Sequence, residues 1–320
     1  MGRRVVVITG ASTGLGLAIA RELLAGDDHL ILTARASSLG RFAAEGIHES
    51  ERVWLRPLDV TDATQREAVV REAAQELDGV DVLVNNAGVS YRSVIEHIST
   101  DEHHRQLDIN YLGPMALAAL VLPCMRRKRA GRIIQISSAS GFMAMPTMGL
   151  YTASKFALEG ATEALYYEVR PFGIKVSLVL PGFINSDGFE KVVWTERGCE
   201  AGNDHHDPYH PHYRHMSDFV GTIMKRAIST PESVAHTVVR TMNARWPKLR
   251  VPGTLDMRVL YSLRKLLPQR VYHELLYRML PGLRHWGTNA VPIEASRPLL
   301  TAPSVVLPRE TSTPTRTLPE

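Results

Sequence analysis

Short runs of apolar, β-branched residues alternate with longer amphipathic stretches along the first 180 residues of the chain. The runs are almost wholly apolar, which is typical of parallel strands that are covered on both faces. Between them, apolar residues recur with a helical period, as at Val69, Val70, Ala73 and Leu77. This alternation predicts an α/β fold with a doubly wound parallel sheet. The predicted strands are Val5–Thr9, Leu30–Thr33, Val53–Leu55, Val82–Val84, Arg132–Ile136 and Lys175–Leu180.

The pattern changes after Pro181. Residues 183–230 mix Phe, Val and Trp with charged residues and five histidines, which predicts a lid rather than another strand–helix unit. Pro231 follows Thr230 as the proline of a first helical turn, and Lys248–Val251 predicts a last strand. The end of the chain is rich in Pro, Thr and Ser. We therefore expect a catalytic domain (1–254) with a helical lid, a C-terminal helical extension (255–286) and a disordered tail (287–320).

Composition excludes several classes of protein. The 320 residues carry 37 Lys and Arg and 33 Asp and Glu, and these charges are interspersed, so we expect no nucleic-acid partner. Two cysteines, Cys124 and Cys199, exclude a disulfide scaffold and suit a reducing compartment. The apolar run after Met1 is too short for a signal peptide, and no run reaches the roughly 18 apolar residues of a membrane span. The sequence predicts a cytoplasmic protein.

A glycine-spaced turn follows the first predicted strand, with the sequence Thr9-Gly10-Ala11-Ser12-Thr13-Gly14-Leu15-Gly16. Glycines in such a turn allow a tight bend and let a pyrophosphate approach the backbone at a helix N-terminus. Four motifs follow in order. They are Asn85-Asn86-Ala87-Gly88 after the fourth strand, Asn110 in a predicted helix, Ser137-Ser138 after the fifth strand, and Tyr151-Thr152-Ala153-Ser154-Lys155 at the start of a helix.

Together, these motifs resemble the short-chain dehydrogenase/reductase family over about residues 3–186. The resemblance implies a Rossmann-type sheet in a single domain and hydride transfer between a nicotinamide cofactor and an alcohol or carbonyl group. It further implies that Ser138 binds the substrate oxygen, that Tyr151 is the acid and base, that Lys155 holds the cofactor ribose, and that Asn110 supports a proton-relay water. Ser137 is the competing serine, but Ser138 has the family's spacing of thirteen positions to Tyr151.

The residue types themselves fit this chemistry. Tyr151 and Lys155 are four positions apart and share one face of a helix. An ammonium near a phenol favours the phenolate, so we expect Lys155 to lower the pKa of Tyr151 from its usual value of about 10. A tyrosine with a lowered pKa exchanges protons near neutral pH.

The second strand predicts which cofactor binds. NAD-binding folds place an acid after this strand to bond the ribose 2′-hydroxyl, but here Ala34 and Arg35 follow Thr33. A guanidinium binds a 2′-phosphate, which favours NADP(H) and leaves NAD(H) as the alternative. Asp59-Val60 resembles the family's adenine contact, and Pro181–Ser186 resembles its contact with the nicotinamide. The expected cofactor-binding residues are Gly10, Ser12, Thr13, Gly14, Leu15, Gly16, Arg35, Asp59, Val60, Asn86, Ala87, Gly88, Tyr151, Lys155, Pro181, Gly182, Ile184 and Ser186.

Apolar residues predict the kind of substrate. Phe142–Met148 lies between Ser138 and Tyr151, and the lid adds apolar residues such as Val192 and Val220. We expect a lipophilic ketone or secondary alcohol, such as a steroid or retinoid, because the long lid and C-terminal extension resemble the hydroxysteroid and retinol dehydrogenase branch. A tailoring ketoreductase of secondary metabolism and a cofactor-binding sensor without turnover are the alternatives.

Three further features concern partners. The lid histidines between His205 and His215 match no metal-ligand spacing, so we expect no metal and a solvated, mobile lid. The basic amphipathic segment 255–280 is expected to cover the substrate pocket, with contact to an anionic membrane surface as the alternative. The family resemblance also points to a homodimer formed through Met115–Leu122 and the helix that carries Tyr151.

Overall fold

A wholly parallel sheet of seven strands forms the centre of the computed structural model, which describes residues 3–185 and 192–287. The sheet order is β3-β2-β1-β4-β6-β7-β9, and β5 pairs with β8 in a separate parallel ladder. The strands are β1 (Val5–Ile8), β2 (His29–Ala34), β3 (Val53–Pro57), β4 (Val82–Asn85), β5 (Tyr91–Arg92), β6 (Gly131–Ile136), β7 (Ile174–Leu180), β8 (Val193–Trp194) and β9 (Arg250–Pro252).

Helices cover both faces of this sheet. Leu17 and Ile19 of α1 pack with Val238 of α9 on one face, and Leu117 of α5 packs with Leu165 of α6 on the other. The helices are α1 (Gly14–Leu24), α2 (Gly40–Ala44), α3 (Ala63–Glu76), α4 (Thr100–Leu107), α5 (Gly113–Lys128), α6 (Gly149–Val169), α7 (Glu196–Asn203), α8 (His210–Arg226), α9 (Pro231–Asn243), α10 (Leu255–Leu266) and α11 (Gln269–Arg278). A π-helical turn, Asp108–Leu112, joins α4 to α5.

The fold class predicted from the sequence is confirmed, since all six predicted strands form and lie parallel. The last strand begins at Arg250, two residues later than predicted. Residues 183–230 hold α7 and α8, so the lid is helical, and Thr230 caps α9 directly before Pro231. The domain boundaries remain predictions, and the predicted tail from 288 onward lies outside the described residues.

One helical stretch of the described residues, Thr100–Lys128, is long and apolar enough to span a membrane by its composition. Leu117, Val121 and Met125 of this stretch pack against the sheet. Core helices of α/β domains meet the same test, and we interpret this stretch as such a core helix.

The order of the strands also fixes where a ligand binds. The chain goes from β1 to β2 and β3 on one side and then crosses to β4 on the other. In sheets of this kind, a crevice opens beyond the carboxyl ends of the strands where the order reverses. The glycine-spaced turn after β1 and the Asn85-Asn86-Ala87-Gly88 motif after β4 therefore meet at this crevice.

Candidate active site

The glycine-spaced turn and the Asn85-Asn86-Ala87-Gly88 motif hold each other in place. Asn86 donates hydrogen bonds from Nδ2 to the carbonyl oxygens of Thr9 (3.0 Å) and Gly10 (3.1 Å). The hydroxyl of Thr9 accepts from the backbone N–H groups of Asn86 and Ala87, both at 3.0 Å. A Cβ at Gly16 would lie 2.2 Å from the Gly10 carbonyl oxygen, so only glycine fits there. This bracing leaves the N-terminus of α1 facing the crevice.

The crevice is a cleft of about 650 Å³. Every described residue that lines it lies between Gly10 and Ile109. Nine of the expected cofactor-binding residues line this cleft: Gly10, Ser12, Thr13, Arg35, Asp59, Val60, Asn86, Ala87 and Gly88. Its size, its glycines and the helix N-terminus fit a dinucleotide.

One end of the cleft is basic. Arg35 and Arg41 line it together with the hydroxyl-bearing Ser38, and Ala34 occupies the position at which an NAD-binding fold has an acid. Two guanidinium groups and a hydroxyl suit a 2′-phosphate. Sequence reasoning found Arg35 but missed Ser38 and Arg41, which lie in two short helical segments after β2 and belong to no motif.

Asp59 in the cleft accepts hydrogen bonds from the backbone (2.9 Å) and hydroxyl (2.7 Å) of Thr61, a further lining residue that the sequence did not single out. The other nine predicted cofactor-binding residues fall into three groups. Gly14, Leu15 and Gly16 form the first turn of α1 behind the cleft. Tyr151 and Lys155 lie on α6 and are described below. The third group comes from the loop after β7. Gly182 lines a second cavity, Ile184 packs against the core, Pro181 lines neither cavity, and Ser186 lies outside the described residues.

Ser138 and Tyr151 come together in that second cavity, which both residues line. Ser138 lies two residues after β6, and its hydroxyl accepts a hydrogen bond from the backbone of Ser140 (3.1 Å). Ser137 is buried on the side of Glu159, outside the cavity lining. The structure therefore favours Ser138 over Ser137, as the spacing predicted.

Lys155 lies one turn after Tyr151 on α6 and connects the two cavities. Its ammonium donates a hydrogen bond to the carbonyl oxygen of Ile136 (2.8 Å) and lies 5.8 Å from the centre of the Tyr151 ring. A Cβ built on Gly88, at the end of the cofactor cleft, would lie 3.8 Å from the Lys155 Nζ and 3.2 Å from the Asn110 Oδ1. Lys155 and Asn110 thus converge where the cleft meets the catalytic helix.

Asn110 lies in the π-helical turn, fully buried, and positions the start of α6. Its side chain exchanges hydrogen bonds with the backbone of Val89, each at 2.9 Å, and donates to the Ser154 hydroxyl at 3.0 Å. Ser154 in turn donates to the carbonyl oxygen of Tyr151 at 2.7 Å. A role for Asn110 in a proton-relay water stays a prediction, whereas these contacts hold Tyr151 in place.

The acid–base properties of the site differ from the sequence-based expectation in one respect. Burial raises the pKa of the Tyr151 phenol, and a hydrogen bond with Ser138 opposes part of the increase. The expectation that Lys155 lowers this pKa is wrong for this structure, because its ammonium is bound to the Ile136 carbonyl instead of the phenol. Burial lowers the pKa of Lys155 to about 8, which the carboxylate of Glu159 opposes.

Glu159 connects Lys155 to the edge of the sheet. Arg250 on β9 donates to its carboxylate at 2.7 Å and to that of Glu163 at 2.8 Å. Burial raises the pKa of Glu159, and the nearby Ser137 hydroxyl and the hydrogen-bonded Arg250 oppose the increase. Lys155 therefore lies near a buried, ion-paired carboxylate that no motif had indicated.

The second cavity has a volume of about 180 Å³ and mostly apolar walls. Met143, Met145 and Met148 line it as the sequence suggested, whereas Phe142 packs against Tyr261 instead. Val192 and Val220 of the lid and Leu260 of α10 complete the apolar wall. We interpret this cavity as the substrate pocket.

Arg92 gives this pocket a positive group that sequence reasoning missed. It is 1% exposed and lines the pocket, with its guanidinium 5.7 Å from the centre of the Trp194 ring and 3.9 Å from the Met148 sulfur. Burial lowers its pKa to about 10, so it stays charged at neutral pH. No motif surrounds Arg92, and its position depends on the pairing of β5 with β8.

Tyr213 anchors the lid to the body of the protein. The hydroxyl of this fully buried residue on α8 lies 3.0 Å from the Ser93 hydroxyl and 3.0 Å from the His97 Nδ1, and it accepts from the Val94 N–H at 3.2 Å. The prediction of a solvated lid is wrong for His210, which is buried at the start of α8, because the lid helices pack together. The residues of 3–185 and 192–287 contain no group of three potential metal ligands.

The beginning of α10 holds the loop after β7. The hydroxyl of Thr254 accepts from the Gly182 N–H at 2.9 Å, and the carboxylate of Asp256 accepts from the Phe183 N–H at 2.9 Å. Since Gly182 and Phe183 line the substrate pocket, residues of the predicted C-terminal extension determine the shape of its wall. The inner face of α10 thus covers the pocket, as the sequence predicted.

Comparisons with known proteins agree with this geometry. The model of a family described as short chain dehydrogenase matches residues 4–197 of the chain. Oxidoreductase BOA17 of Botryotinia fuckeliana is 32% identical over 254 residues, which cover 76% of this chain and 86% of that protein. Human 17-beta-hydroxysteroid dehydrogenase type 1 is 33% identical over 258 residues, which cover 78% and 77%. The 3-ketodihydrosphingosine reductase of Bacteroides thetaiotaomicron is 38% identical over 186 residues, which cover 58% and 66%.

Solved structures show the same architecture. A short-chain dehydrogenase from Streptomyces avermitilis superimposes with a TM-score of 0.69 at 28% identity, covering 86% of this chain and 98% of that one. ElxO with NADP bound superimposes with a TM-score of 0.63 at 25% identity, covering 79% and 98%. The similarity extends beyond the cofactor cleft to most of the chain.

Proposed function

This chain belongs to the short-chain dehydrogenase family and is an oxidoreductase of CH–OH or C=O groups, and we propose that it uses NADP(H) to interconvert a lipophilic ketone and its secondary alcohol. One observation carries the proposal. Ser138 and Tyr151 line the same apolar pocket, and Lys155 follows Tyr151 by one helical turn. A Cβ on Gly88, which lines the cofactor cleft, would lie 3.8 Å from the Lys155 Nζ, so the cleft and the pocket meet at these residues.

Ser138 and Tyr151 have different roles in this reaction. NADP(H), when bound, supplies or accepts the hydride. Ser138 donates a hydrogen bond to the substrate oxygen and orients it toward Tyr151. Tyr151, whose pKa is raised by burial, is a protonated phenol at neutral pH and donates its proton to that oxygen during reduction. The phenolate left by this step is the form that takes the proton back from the alcohol during oxidation.

NADP(H) is supported as the cofactor by the basic end of the cleft. Arg35, Ser38 and Arg41 offer two cations and a hydroxyl, and Ala34 offers no carboxylate that would repel a 2′-phosphate. ElxO, a structural relative at 25% identity, has NADP bound. We propose NAD(H) only as a weaker ligand of the same cleft.

The substrate that we propose is lipophilic with a polar group near its ketone. Four methionines, including Met224 of α8, and three aliphatic lid and α10 residues form an adaptable apolar wall, and Arg92 adds one cation. Relatives of the chain include a steroid dehydrogenase and a reductase of a long-chain ketone. Steroids and long-chain ketones are therefore the first substrates to test, followed by retinoids.

The test is NADPH oxidation, followed by absorbance, with the pure protein and a panel of steroid, retinoid, quinone, long-chain and polyketide-like ketones. We expect turnover with a lipophilic ketone, and we expect Tyr151→Phe to bind NADPH normally while losing turnover by at least about a hundredfold. Turnover restricted to polyketide-like ketones would favour the tailoring ketoreductase. NADPH binding without turnover of any ketone would favour a sensor and contradict the proposal.

We also propose a cytoplasmic homodimer formed through α5 and α6. Leu112 directly before α5 and Phe156 and Tyr167 on α6 are large apolar side chains that remain exposed in the single chain. Their burial in a partner's surface would account for this exposure. Analytical ultracentrifugation tests the proposal, since Tyr167→Glu should then shift the protein from dimer to monomer.

A further inference from the structure

The two C-terminal helices expose an unusual number of large apolar side chains. Their outward residues are between 39% and 81% exposed. A water-soluble surface with so many exposed apolar side chains in a short segment indicates an interaction site. We define the C-terminal apolar surface as Leu255, Val259, Leu266, Val271, Leu275, Tyr277 and Met279.

These side chains are not a part of the core. The opposite face of the same helices already packs inward, with Met257 and Tyr272 buried and Leu260 lining the substrate pocket. Arg264 also turns inward, with its guanidinium 4.6 Å from the centre of the Phe142 ring. The helices are therefore held in place by one face and present the other to the surroundings.

Positive charge accompanies the C-terminal apolar surface. Arg258, Lys265 and Arg270 are exposed, and none of them forms an ion pair with a carboxylate of the described residues. Both acidic residues of α10 and α11 already have partners. Asp256 accepts a hydrogen bond from the Phe183 backbone, and Glu274 forms an ion pair with Arg278 at 2.8 Å.

We propose that the C-terminal apolar surface docks the protein on an anionic lipid bilayer. Apolar side chains of an interfacial helix enter the boundary between headgroups and acyl chains, and neighbouring cations bind lipid phosphates. Leu266 enters the bilayer, and Arg258 and Lys265 contact the headgroups. A soluble protein partner would need acidic residues placed around an apolar patch to match this surface. An anionic bilayer offers negative phosphates and an apolar interior over its whole area.

Docking places the substrate pocket next to the lipid, because Leu260 belongs to both α10 and the pocket wall. A lipophilic substrate then reaches Tyr151 from the bilayer without crossing water. This consequence rests on the proposed function, but docking itself does not, so the two are tested separately.

The experiment is co-sedimentation of the full-length protein with phosphatidylcholine vesicles, with or without phosphatidylglycerol, in the absence of substrate and cofactor. We expect binding to the anionic vesicles, weak binding to neutral ones, and release at high salt. Leu266→Glu should reduce the partition coefficient by about tenfold or more, because it places a charge in the apolar layer. Arg258→Gln combined with Lys265→Gln should reduce it by roughly 25-fold, about fivefold for each lost cation.

Ile228→Glu is the matched control, since Ile228 is 90% exposed but lies between α8 and α9, outside the surface. This variant should bind vesicles like the wild type, and all variants should keep the wild-type melting temperature. The proposal is overturned if the wild type ignores anionic vesicles or if Ile228→Glu loses binding equally. It is also overturned if Leu266→Glu changes only the oligomeric state, because a second copy of the chain then covers the surface.

Discussion

The ammonium of Lys155 should destabilise the folded protein, which makes it a sensitive test of the site. Its pKa is about 8 in the folded protein against a usual value of 10.5, a difference equivalent to about 3 kcal/mol. Lys155→Met keeps the apolar stem and removes the charge, but it also removes the 2.8 Å charge-assisted hydrogen bond to the Ile136 carbonyl oxygen, which contributes about 1.5 kcal/mol. We expect the free energy of unfolding at pH 7 to increase by about 1.5 kcal/mol.

The effect should depend on pH with a defined sign. Below pH 8, Lys155 is protonated in the folded and unfolded chains alike, and the full cost of its burial is present. Between about pH 8 and 10.5, the unfolded chain binds more protons than the folded one, so the free energy of unfolding rises with pH. Lys155→Met lacks this rise, and its advantage over the wild type should disappear by about pH 10.

Urea unfolding, followed by circular dichroism at several pH values between 7 and 10, measures the free energy of unfolding and its dependence on pH. Lys225→Met is the matched control, because Lys225 is exposed and its replacement should change the free energy of unfolding by less than about 0.5 kcal/mol. The reasoning is refuted if Lys155→Met is less stable than the wild type at pH 7 by an amount that does not vary with pH. That result would mean that the folded protein stabilises the ammonium.

Three other predictions concern the cleft and the lid. Arg35→Ala and Arg41→Ala should each weaken NADPH binding by about tenfold or more, because a charge-assisted hydrogen bond to the 2′-phosphate contributes about 1.5–3 kcal/mol. NADH lacks this phosphate, so its binding should not change, and equal losses for both cofactors in calorimetric titrations would exclude a 2′-phosphate contact. Gly16→Ala should lower the melting temperature and weaken NADPH binding, since its Cβ would lie 2.2 Å from a carbonyl oxygen. Gly160→Ala, with open space around it, should instead stabilise α6 by up to about 1 kcal/mol, and similar melting temperatures for the two variants would contradict this reasoning. Tyr213→Phe should lower the free energy of unfolding by about 2 kcal/mol and raise the KM of the ketone without altering the Kd of NADPH, and an unchanged KM would show that the anchor does not position the lid.

The parts of the molecule that the sequence predicted depend on local patterns. A buried parallel strand needs an apolar run, so β1 through β7 could be located within a residue or two, apart from the short β5. The glycine-spaced turn and the motif from Tyr151 to Lys155 are equally local, because each is built from neighbouring residues. Local patterns thus sufficed for the sheet, the cofactor turn and the catalytic helix.

The parts that escaped prediction depend on contacts between distant residues. Arg92 enters the substrate pocket because β5 pairs with β8, about a hundred positions later in the chain. Tyr213 reaches Ser93 across a similar separation, and Arg250 reaches Glu159 from the far edge of the sheet. The raised pKa of Tyr151 has the same origin, since burial depends on the whole fold and not on the spacing of two residues.

The cofactor cleft and the substrate pocket draw on different parts of the chain. The described lining of the cleft ends at Ile109, whereas that of the pocket runs from Ser90 to Leu260. Substitutions at apolar pocket residues such as Met145, Val220 and Leu260 can therefore change which substrates the enzyme accepts without altering the cleft lining. Chimeras that join residues 1–112 of this protein to the later part of a relative would keep the described lining of the cleft and exchange most of the pocket wall. The same separation allows substrate preference to diversify in evolution while cofactor binding is kept.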